Sequence, residues 1–468
     1  MSAGLLPLLP TGLAAWAAPR AVEKAGAGPT LTPRVSRTSF FGADGPSTEV
    51  WGYDGVPGPV LRARQGERLR VPVVNGLPEP TTVHWHGLRV DNAMDGVAWL
   101  TQPPIAPGET FTYELALKDA GTFWYHPHAN SAEQVGRGLY GALIVEETDP
   151  IPVDRDLVWI LDDWRLQEDG SLAPFGGLHD AAHGGRFGNL PTINGQLGDL
   201  VPVTGGERLR LRLINAANAR VFGLRFRGLT GWRIAVDSHP VGPESLGDEA
   251  VVVPPGGRVD LILDMTGAAG DLFDVEEGYY GGEAFALARF QVDDGAPVRP
   301  TPPPPPEPLA ANPVTPPNLE AAEAHNMAFE GGAMGGLAQA EFQGKTMDLR
   351  QIAAMGLIWA VNGRVIAPMR ADDPGDPMLS LRLGRSYRLT WTNRTAFDHP
   401  IHLHGHSFHV LSRNGKRLDR PVIMDTVLIP RGEEVEVVFV ADNPGDWALH
   451  CHILEHAEAG MMGYVRVS

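Results

Sequence analysis

Apolar and polar residues alternate with a period of two through much of the chain, the spacing that turns every second side chain of a strand toward a buried face. In three places the alternation follows one template. Gly66-Glu67-Arg68-Leu69-Arg70-Val71 leads to Asn75, Gly206-Glu207-Arg208-Leu209-Arg210-Leu211 leads to Asn215, and Gly384-Arg385-Ser386-Tyr387-Arg388-Leu389 leads to Asn393. Each copy opens on a turn glycine and reaches asparagine at the same offset. A second template follows in each copy, as Pro107-Gly108-Glu109, Pro255-Gly256-Gly257 and Arg431-Gly432-Glu433, the last running into the alternating Val435, Val437 and Phe439. Two templates in one order at matched spacing imply three copies of one β unit. Short strands separated by turn signals make each copy a β-sandwich, so the expected fold is all-β.

Between the second and third copies, residues 297–317 hold Pro302 to Pro306 and further prolines at 308, 313, 316 and 317. That composition favours extended polyproline geometry over a packed core and predicts a linker. The expected organisation is a tail over 1–29, domains over 30–150, 151–296 and 318–468, and the linker between the last two. A chain of 468 residues also exceeds the roughly 250–300 at which one hydrophobic core stops growing.

Composition narrows the function. With 43% hydrophobic and 20% charged residues, 56 Gly and 42 Pro, the chain reads as turn-rich and globular. A formal charge of -18 points away from nucleic acid and anionic membranes and favours cationic partners. Leu5 to Ala18 is apolar and ends in Ala15-Trp16-Ala17, like the tail of an export signal, although no Lys or Arg precedes Arg20. Beyond it no apolar run approaches the roughly 20 residues of a membrane span. The expectation is a periplasmic or secreted monomer with neither a membrane anchor nor a nucleic-acid partner.

Histidine carries the chemistry. The chain has 16, and His-X-His occurs at His84/His86, His126/His128, His402/His404, His404/His406 and His450/His452, whereas random placement gives fewer than one such pair. Residues i and i+2 of a strand share a face, so each pair offers two imidazoles to one side, and imidazole suits copper, zinc, iron or nickel. The only thiol, Cys451, stands between His450 and His452, with His456 and Met461 downstream. Alternation turns Cys451 away from its two histidine neighbours, placing it between two metal sites. Cys451, His456 and Met461, with His399 as the second imidazole, make the two-His, one-thiolate set with a weak thioether that is associated with blue copper. Zinc is the rival metal, but structural zinc sites usually hold several cysteines.

With these motifs in view the chain resembles the multicopper oxidase family, of the laccase and bacterial cuprous oxidase type. His84-Trp85-His86-Gly87, Trp124-Tyr125-His126-Pro127-His128, His399-Pro400-Ile401-His402-Leu403-His404-Gly405 and the Cys451 segment stand in family order. The resemblance runs from Trp51-Gly52-Tyr53 and Pro57-Gly58-Pro59 to Met461. It implies three cupredoxin-like Greek-key sandwiches and four coppers. The type 1 copper would take His399, Cys451, His456 and Met461, and the type 2 copper His84 and His402. The two type 3 coppers would take His86, His126 and His452, and His128, His404 and His450. The histidines at 179, 183, 239, 325, 406 and 409 fall to surface or core roles.

The resemblance further implies one-electron oxidation of a small reducing substrate coupled to reduction of dioxygen to water, with the electron leaving through Cys451. Protons are consumed, and Asp95, nine residues after His86, matches the family's acidic position; a turn-capping role before Gly96 is the other reading. Many bacterial relatives carry glutamate immediately after the ligand here numbered His456, but this chain has Ala457. Glu458 or Glu455 could substitute, although neither shares the position; a surface carboxylate is the other reading of Glu455, and Glu458 is the expected catalytic residue. Met327, Met334, Met347, Met355 and Met369 give the 325–369 segment modest methionine enrichment, and Thr395 and Phe397 before His399 are poor Cu(I) ligands. A laccase-like oxidase of phenols or aromatic amines is favoured. A periplasmic cuprous oxidase of Cu(I) and a copper-binding protein without turnover are the alternatives.

Overall fold

The computed structural model describes residues 29–468 except 43, 199, 283, 367–368 and 370–374, so the export-signal expectation on residues 5–18 lies outside the described residues. The three templates build the same structure three times. In the middle copy Arg208–Asn215 lies parallel to Arg155–Trp164 and antiparallel to Arg258–Asp264, inside a six-stranded sheet. In the last copy Ser386–Asn393 lies parallel to Glu323–Gly331 and antiparallel to Glu434–Val440, in a six-stranded sheet of the same order. Each of these sheets is backed by a five-stranded partner with a parallel pair at one edge, Leu200–Val203 on Phe285–Val292 and Leu379–Leu381 on Met462–Val467. The first copy is trimmed: Arg68–Val74 pairs with Thr110–Ala116, and a four-stranded sheet runs from Leu61–Arg64 through Gly141–Glu146 and Gly121–His126 to His84–His86. Each copy has its own buried core, centred on Trp85 and Tyr113, on Leu211 and Phe290, and on Trp391 and Trp447. The fold is three cupredoxin-like sandwiches.

The repeated asparagines explain the repetition. Each is buried, and its amide closes the loop at the end of its strand in the same way. Asn75 Nδ2 donates to the carbonyls of Glu79 and Ile105, and its Oδ1 accepts from Leu77 N–H. Asn215 does so with Arg220, Val253 and Ala217, and Asn393 with Phe397, Ile429 and Thr395. The glycine of the second template then donates its N–H to the asparagine's own carbonyl, at 2.7 Å from Gly108, 3.0 Å from Gly256 and 3.1 Å from Gly432. Buried backbone groups must be paired, and no smaller side chain supplies two donors and an acceptor at this corner.

The proline-rich stretch has no regular element and runs along the seams between sandwiches. Arg208 Nη2 donates to Pro304 O at 2.8 Å, and Asn312 bonds Ala120 and Ser238 O. The methionine-bearing segment divides differently from a single loop. Met327 is core on strand Glu323–Gly331, and Met347 packs on a small cluster around Ile352, whereas Met334 and Met355 are exposed. Only these last two stand out as exposed thioethers among the described residues of the segment. No helix among the described residues is long and apolar enough to cross a membrane.

Candidate metal centres

Strand register gathers the first cluster. His84 stands opposite His126 in the first sandwich, and His402 opposite His450 in the third. These two sheet ends face each other, stacking His84 on His404 with ring centroids 3.8 Å apart and His86 on His402 at the same separation. Eight buried imidazoles meet between the two sandwiches: His84, His86, His126, His128, His402, His404, His450 and His452. Burial lowers the pKa of His86, His126, His128, His402, His404, His450 and His452, and neighbouring imidazoles lower it further; His450 is brought down to about 3 by burial and by His402. Neutral imidazole is the ligand form.

Hydrogen bonds then select which nitrogen is free. His84 Nδ1 donates to Asp95 O at 2.8 Å, His126 Nδ1 to Pro127 O at 3.0 Å, His402 Nδ1 to Asp425 O at 2.8 Å and His450 Nδ1 to Cys451 O at 2.9 Å. His404 Nδ1 donates to the Asp95 carboxylate at 2.9 Å, and His86 Nε2 lies 3.2 Å from Asp425 Oδ1 and 3.0 Å from Thr426 Oγ1. The opposite nitrogens of His84, His86, His126 and His402 have no partner although fully buried, and neither nitrogen of His452 has one. Such orphans are rare in folded proteins. In addition, His404 Nε2 and His128 Nε2 lie 3.0 and 3.3 Å from His450 Nε2, three imidazole nitrogens converging on one point, and the tied Nδ1 groups of His404 and His450 turn lone pairs toward it. A cation relieves both defects, and tied Nδ1 or Nε2 groups are the outer bonds that orient metal-binding imidazoles.

The second centre lies in the third sandwich. Cys451 Sγ is 3.4 Å from His399 Nδ1 and 3.8 Å from His456 Nδ1, and the two nitrogens are 3.2 Å apart. Again the outer nitrogens are occupied: His399 Nε2–H meets Thr395 Oγ1 at 2.7 Å and His456 Nε2–H donates to His183 O at 2.6 Å. Burial lowers His456 to about 3 and pushes the Cys451 thiol up. A buried thiol of that kind ionises when a metal takes the proton's place. Met461 is buried beside it, its backbone holding Cys451 N–H at 3.0 Å and donating to His456 O at 3.0 Å. Trp359 covers the set, its ring centroid 4.4 Å from His456 and 5.1 Å from His399. All twelve sequence-selected side chains are thus buried in two groups, joined through His450-Cys451-His452.

The carboxylates fall out less evenly. Asp95 is buried with Oδ2 on His404 and Oδ1 3.3 Å from His84 Nδ1, so its side chain is spent on the histidines and not on the turn. Glu458 is exposed and accepts Ala132 N–H at 2.9 Å, at the first turn of helix Ser131–Gly136. Glu455, expected at the surface, is buried: Asn218 Nδ2 donates to it at 2.7 Å and Arg186 N–H at 3.1 Å, while burial raises its pKa. Helix Leu454–Glu458 turns that side chain into the seam with the middle sandwich, which is why it is not at the surface.

Asp425 escaped sequence reasoning. Burial opposes its charge, but Arg258 offsets this with bonds of 2.7 and 2.5 Å, and together with His402 and His86 holds the carboxyl well below the usual range. Its one sequence signal is an acid interrupting the alternation between Met424 and Thr426.

Three cupredoxin-like sandwiches with a histidine cluster between the first and third and a Cys-His-His set beside it define a copper-dependent oxidase. Residues 34–150 and 344–468 each match a family described as multicopper oxidase. The chain is 32% identical to the multicopper oxidase MmcO of Mycobacterium tuberculosis, covering 92% of this chain and 85% of that protein. Among solved structures, a multi-copper oxidase from Pseudomonas thermotolerans is 34% identical, covers 94% of this chain and 98% of its own, and superposes with a TM-score of 0.80. A laccase-like multi-copper oxidase from Ochrobactrum sp., described as having oxidase activity towards lignin model compounds and lignosulfonate, is 27% identical over 97% of this chain and 100% of its own, with a TM-score of 0.78. The chain belongs to the multicopper oxidase family. It is an oxidoreductase that binds copper and uses dioxygen as acceptor.

Proposed function

We propose that this oxidase takes single electrons from phenolic or aromatic amine donors and holds four coppers in the two centres. His399, Cys451, His456 and Met461 would hold the type 1 copper, and His84 and His402 the type 2 copper. His86, His126 and His452 would hold one type 3 copper, and His128, His404 and His450 the other. The convergence of the His128, His404 and His450 nitrogens carries this assignment, because three buried imidazoles meet there and those of His404 and His450 turn lone pairs inward. Bound copper supplies the one-electron redox chemistry that couples a single-electron donor to the four-electron reduction of dioxygen. The chain itself supplies order: tied imidazoles fix the donor atoms, and Cys451 links the two centres through its bonded neighbours. Asp95 is the proposed proton donor at the cluster. The proposed domain limits are 30–150, 151–296 and 318–468, with the linker over 297–317.

Aromatic donors are favoured by what surrounds His456. Phe397 packs at 6.5 Å from the His456 ring and Phe187 meets the partly exposed Tyr280 at 5.2 Å, lining the seam with aromatic faces on which a phenol stacks. Thr395 is committed to His399 and Asn393, leaving no soft ligand at that position. The likeness to the Ochrobactrum enzyme supports the same donor class. Oxygen uptake with a phenol panel tests the reading, together with Cys451→Ser. The copper-loaded protein is expected to be blue and to contain four coppers, and Cys451→Ser to lose the intense band and phenol turnover. A variant that stays blue, or a wild type with one copper, rejects the assignment.

A further inference from the structure

Strands Thr230–Val236 and His239–Ser245 of the middle sandwich are joined by two residues, Asp237 and Ser238. Both stand in the left-handed region, at φ +44° and +66°, as a two-residue hairpin turn requires. Asn-Gly and Asp-Gly are the usual occupants of such a turn. Here serine takes the glycine position, and both residues are buried. A serine kept in that conformation points to a use for its side chain.

Each side chain of the turn leaves its own sandwich. Ser238 Oγ donates to Thr122 O at 2.5 Å, on the strand that carries His126. Gly121 beside it has φ +134°, and a Cβ there would stand 2.8 Å from Ser238 Cβ, so the first sandwich is shaped to receive the turn. Ser238 O accepts Asn312 Nδ2 from the proline-rich stretch at 2.9 Å. Asp237 reaches the third sandwich: its Oδ2 accepts Thr426 N–H at 3.0 Å and Asp425 N–H at 3.3 Å, while Oδ1 accepts Arg258 N–H at 3.0 Å.

What Asp237 holds is the segment that orients two cluster imidazoles. Thr426 Oγ1 lies 3.0 Å from both His86 Nε2 and His402 Nδ1. Asp425 adds Oδ1 at 3.2 Å from His86 Nε2 and its carbonyl at 2.8 Å from His402 Nδ1. His86 comes from the first sandwich and His402 from the third, so the one step from Asp425 to Thr426 fixes rings on both sides of the cluster. Both N–H groups of that step end on Asp237.

We propose that Asp237 is a positioning residue for the histidine cluster: by accepting the N–H groups of Asp425 and Thr426, it sets the angles of the His86 and His402 rings. The inference rests on the four-copper reading, in which His402 serves the type 2 copper and His86 a type 3 copper. The middle sandwich thereby tunes a centre to which it gives no ligand candidate.

Asp237→Asn is the test. Asparagine is accepted at φ +44° and keeps the size. Its amide has a single acceptor oxygen, so a donor faces either Arg258 N–H or the two N–H groups of the third sandwich. In the copper-loaded variant the blue band should keep its wild-type strength, while the type 2 electron paramagnetic resonance signal shifts in hyperfine splitting. Copper retention by the cluster against a competing chelator should fall about tenfold, the low end of what outer partners of metal-binding histidines contribute. Thr426→Val, which removes the shared hydroxyl and leaves the turn intact, should shift the same signal, and it carries the test alone if Asp237→Asn does not fold. A wild-type signal in either variant when fully loaded, whatever the loss of thermal stability, overturns the proposal and leaves the turn a clamp on the seam. A wild-type protein without a type 2 signal rejects the four-copper reading instead. The ring N–H resonances of His86 and His402 in the metal-free protein then decide: a shift in Asp237→Asn keeps the positioning role, and unchanged resonances overturn it.

Discussion

At the scale of single residues, the chemistry depends on what the second nitrogen or oxygen of each ligand candidate touches. Asp95 is the clearest case, a carboxylate with one oxygen on His404 and the other near His84. Asparagine keeps the size and one acceptor but neither the charge nor the proton. Positioned acids typically contribute about 10²–10⁴-fold to a rate, so Asp95→Asn is expected to slow reoxidation by dioxygen toward that range. Blue absorption and anaerobic reduction by substrate should stay close to wild type, which stopped-flow separates from reoxidation. Wild-type reoxidation in a fully loaded variant would move the search to Glu458. Much at this scale was legible in the sequence, because His-X-His on a strand sends both imidazoles to one face whatever the strand's neighbours. The burial of Glu455 and the grip of Arg258 on Asp425 were not, since both arise from seams between sandwiches that are remote in sequence.

At the scale of elements, turns of the middle sandwich press on the cluster without contributing a ligand candidate. Gly256 has φ +80°, and a Cβ there would stand 2.6 Å from Cδ2 of the His452 ring. The turn Pro254–Gly257 is thus a wall for that imidazole. Gly256→Ala adds a left-handed backbone penalty of about 1–2 kcal/mol and displaces His452. The expected result is protein with less than the full copper content that keeps its blue band, measured by metal analysis beside the absorption spectrum. Full copper with wild-type turnover would show that the ring gives way at no cost. The glycine was visible in the sequence as the second template's turn residue, but the template says nothing of which ring lies beyond it.

At the scale of the whole molecule, Arg258 joins all three sandwiches. From the middle one it donates to Thr122 O of the first at 3.2 Å and to both Asp425 oxygens of the third, with Asp237 3.3 Å away. Removing one partner of a buried ion pair typically costs about 3–5 kcal/mol, because the remaining charge is left without compensation. Arg258→Met should therefore lower the thermal unfolding temperature strongly and lower the copper content of the cluster. Arg233→Ala, which breaks a half-exposed pair with Glu244, should cost less than about 1 kcal/mol. Equal calorimetric shifts for the two would show that Arg258 does not hold the three sandwiches together. Period-two alternation, the repeated Gly and Asn positions and the paired histidines determined by themselves that the chain builds three sandwiches and carries clustered ligand candidates, for these are local properties of strand and turn. Tertiary structure alone decided which nitrogens stay free, which carboxylate is charged beside the cluster and which backbone carbonyl caps His456. Those depend on burial and on contacts that strand periodicity does not encode, several of them between residues more than a hundred apart, as Arg258 is from Asp425 and His404 from Asp95.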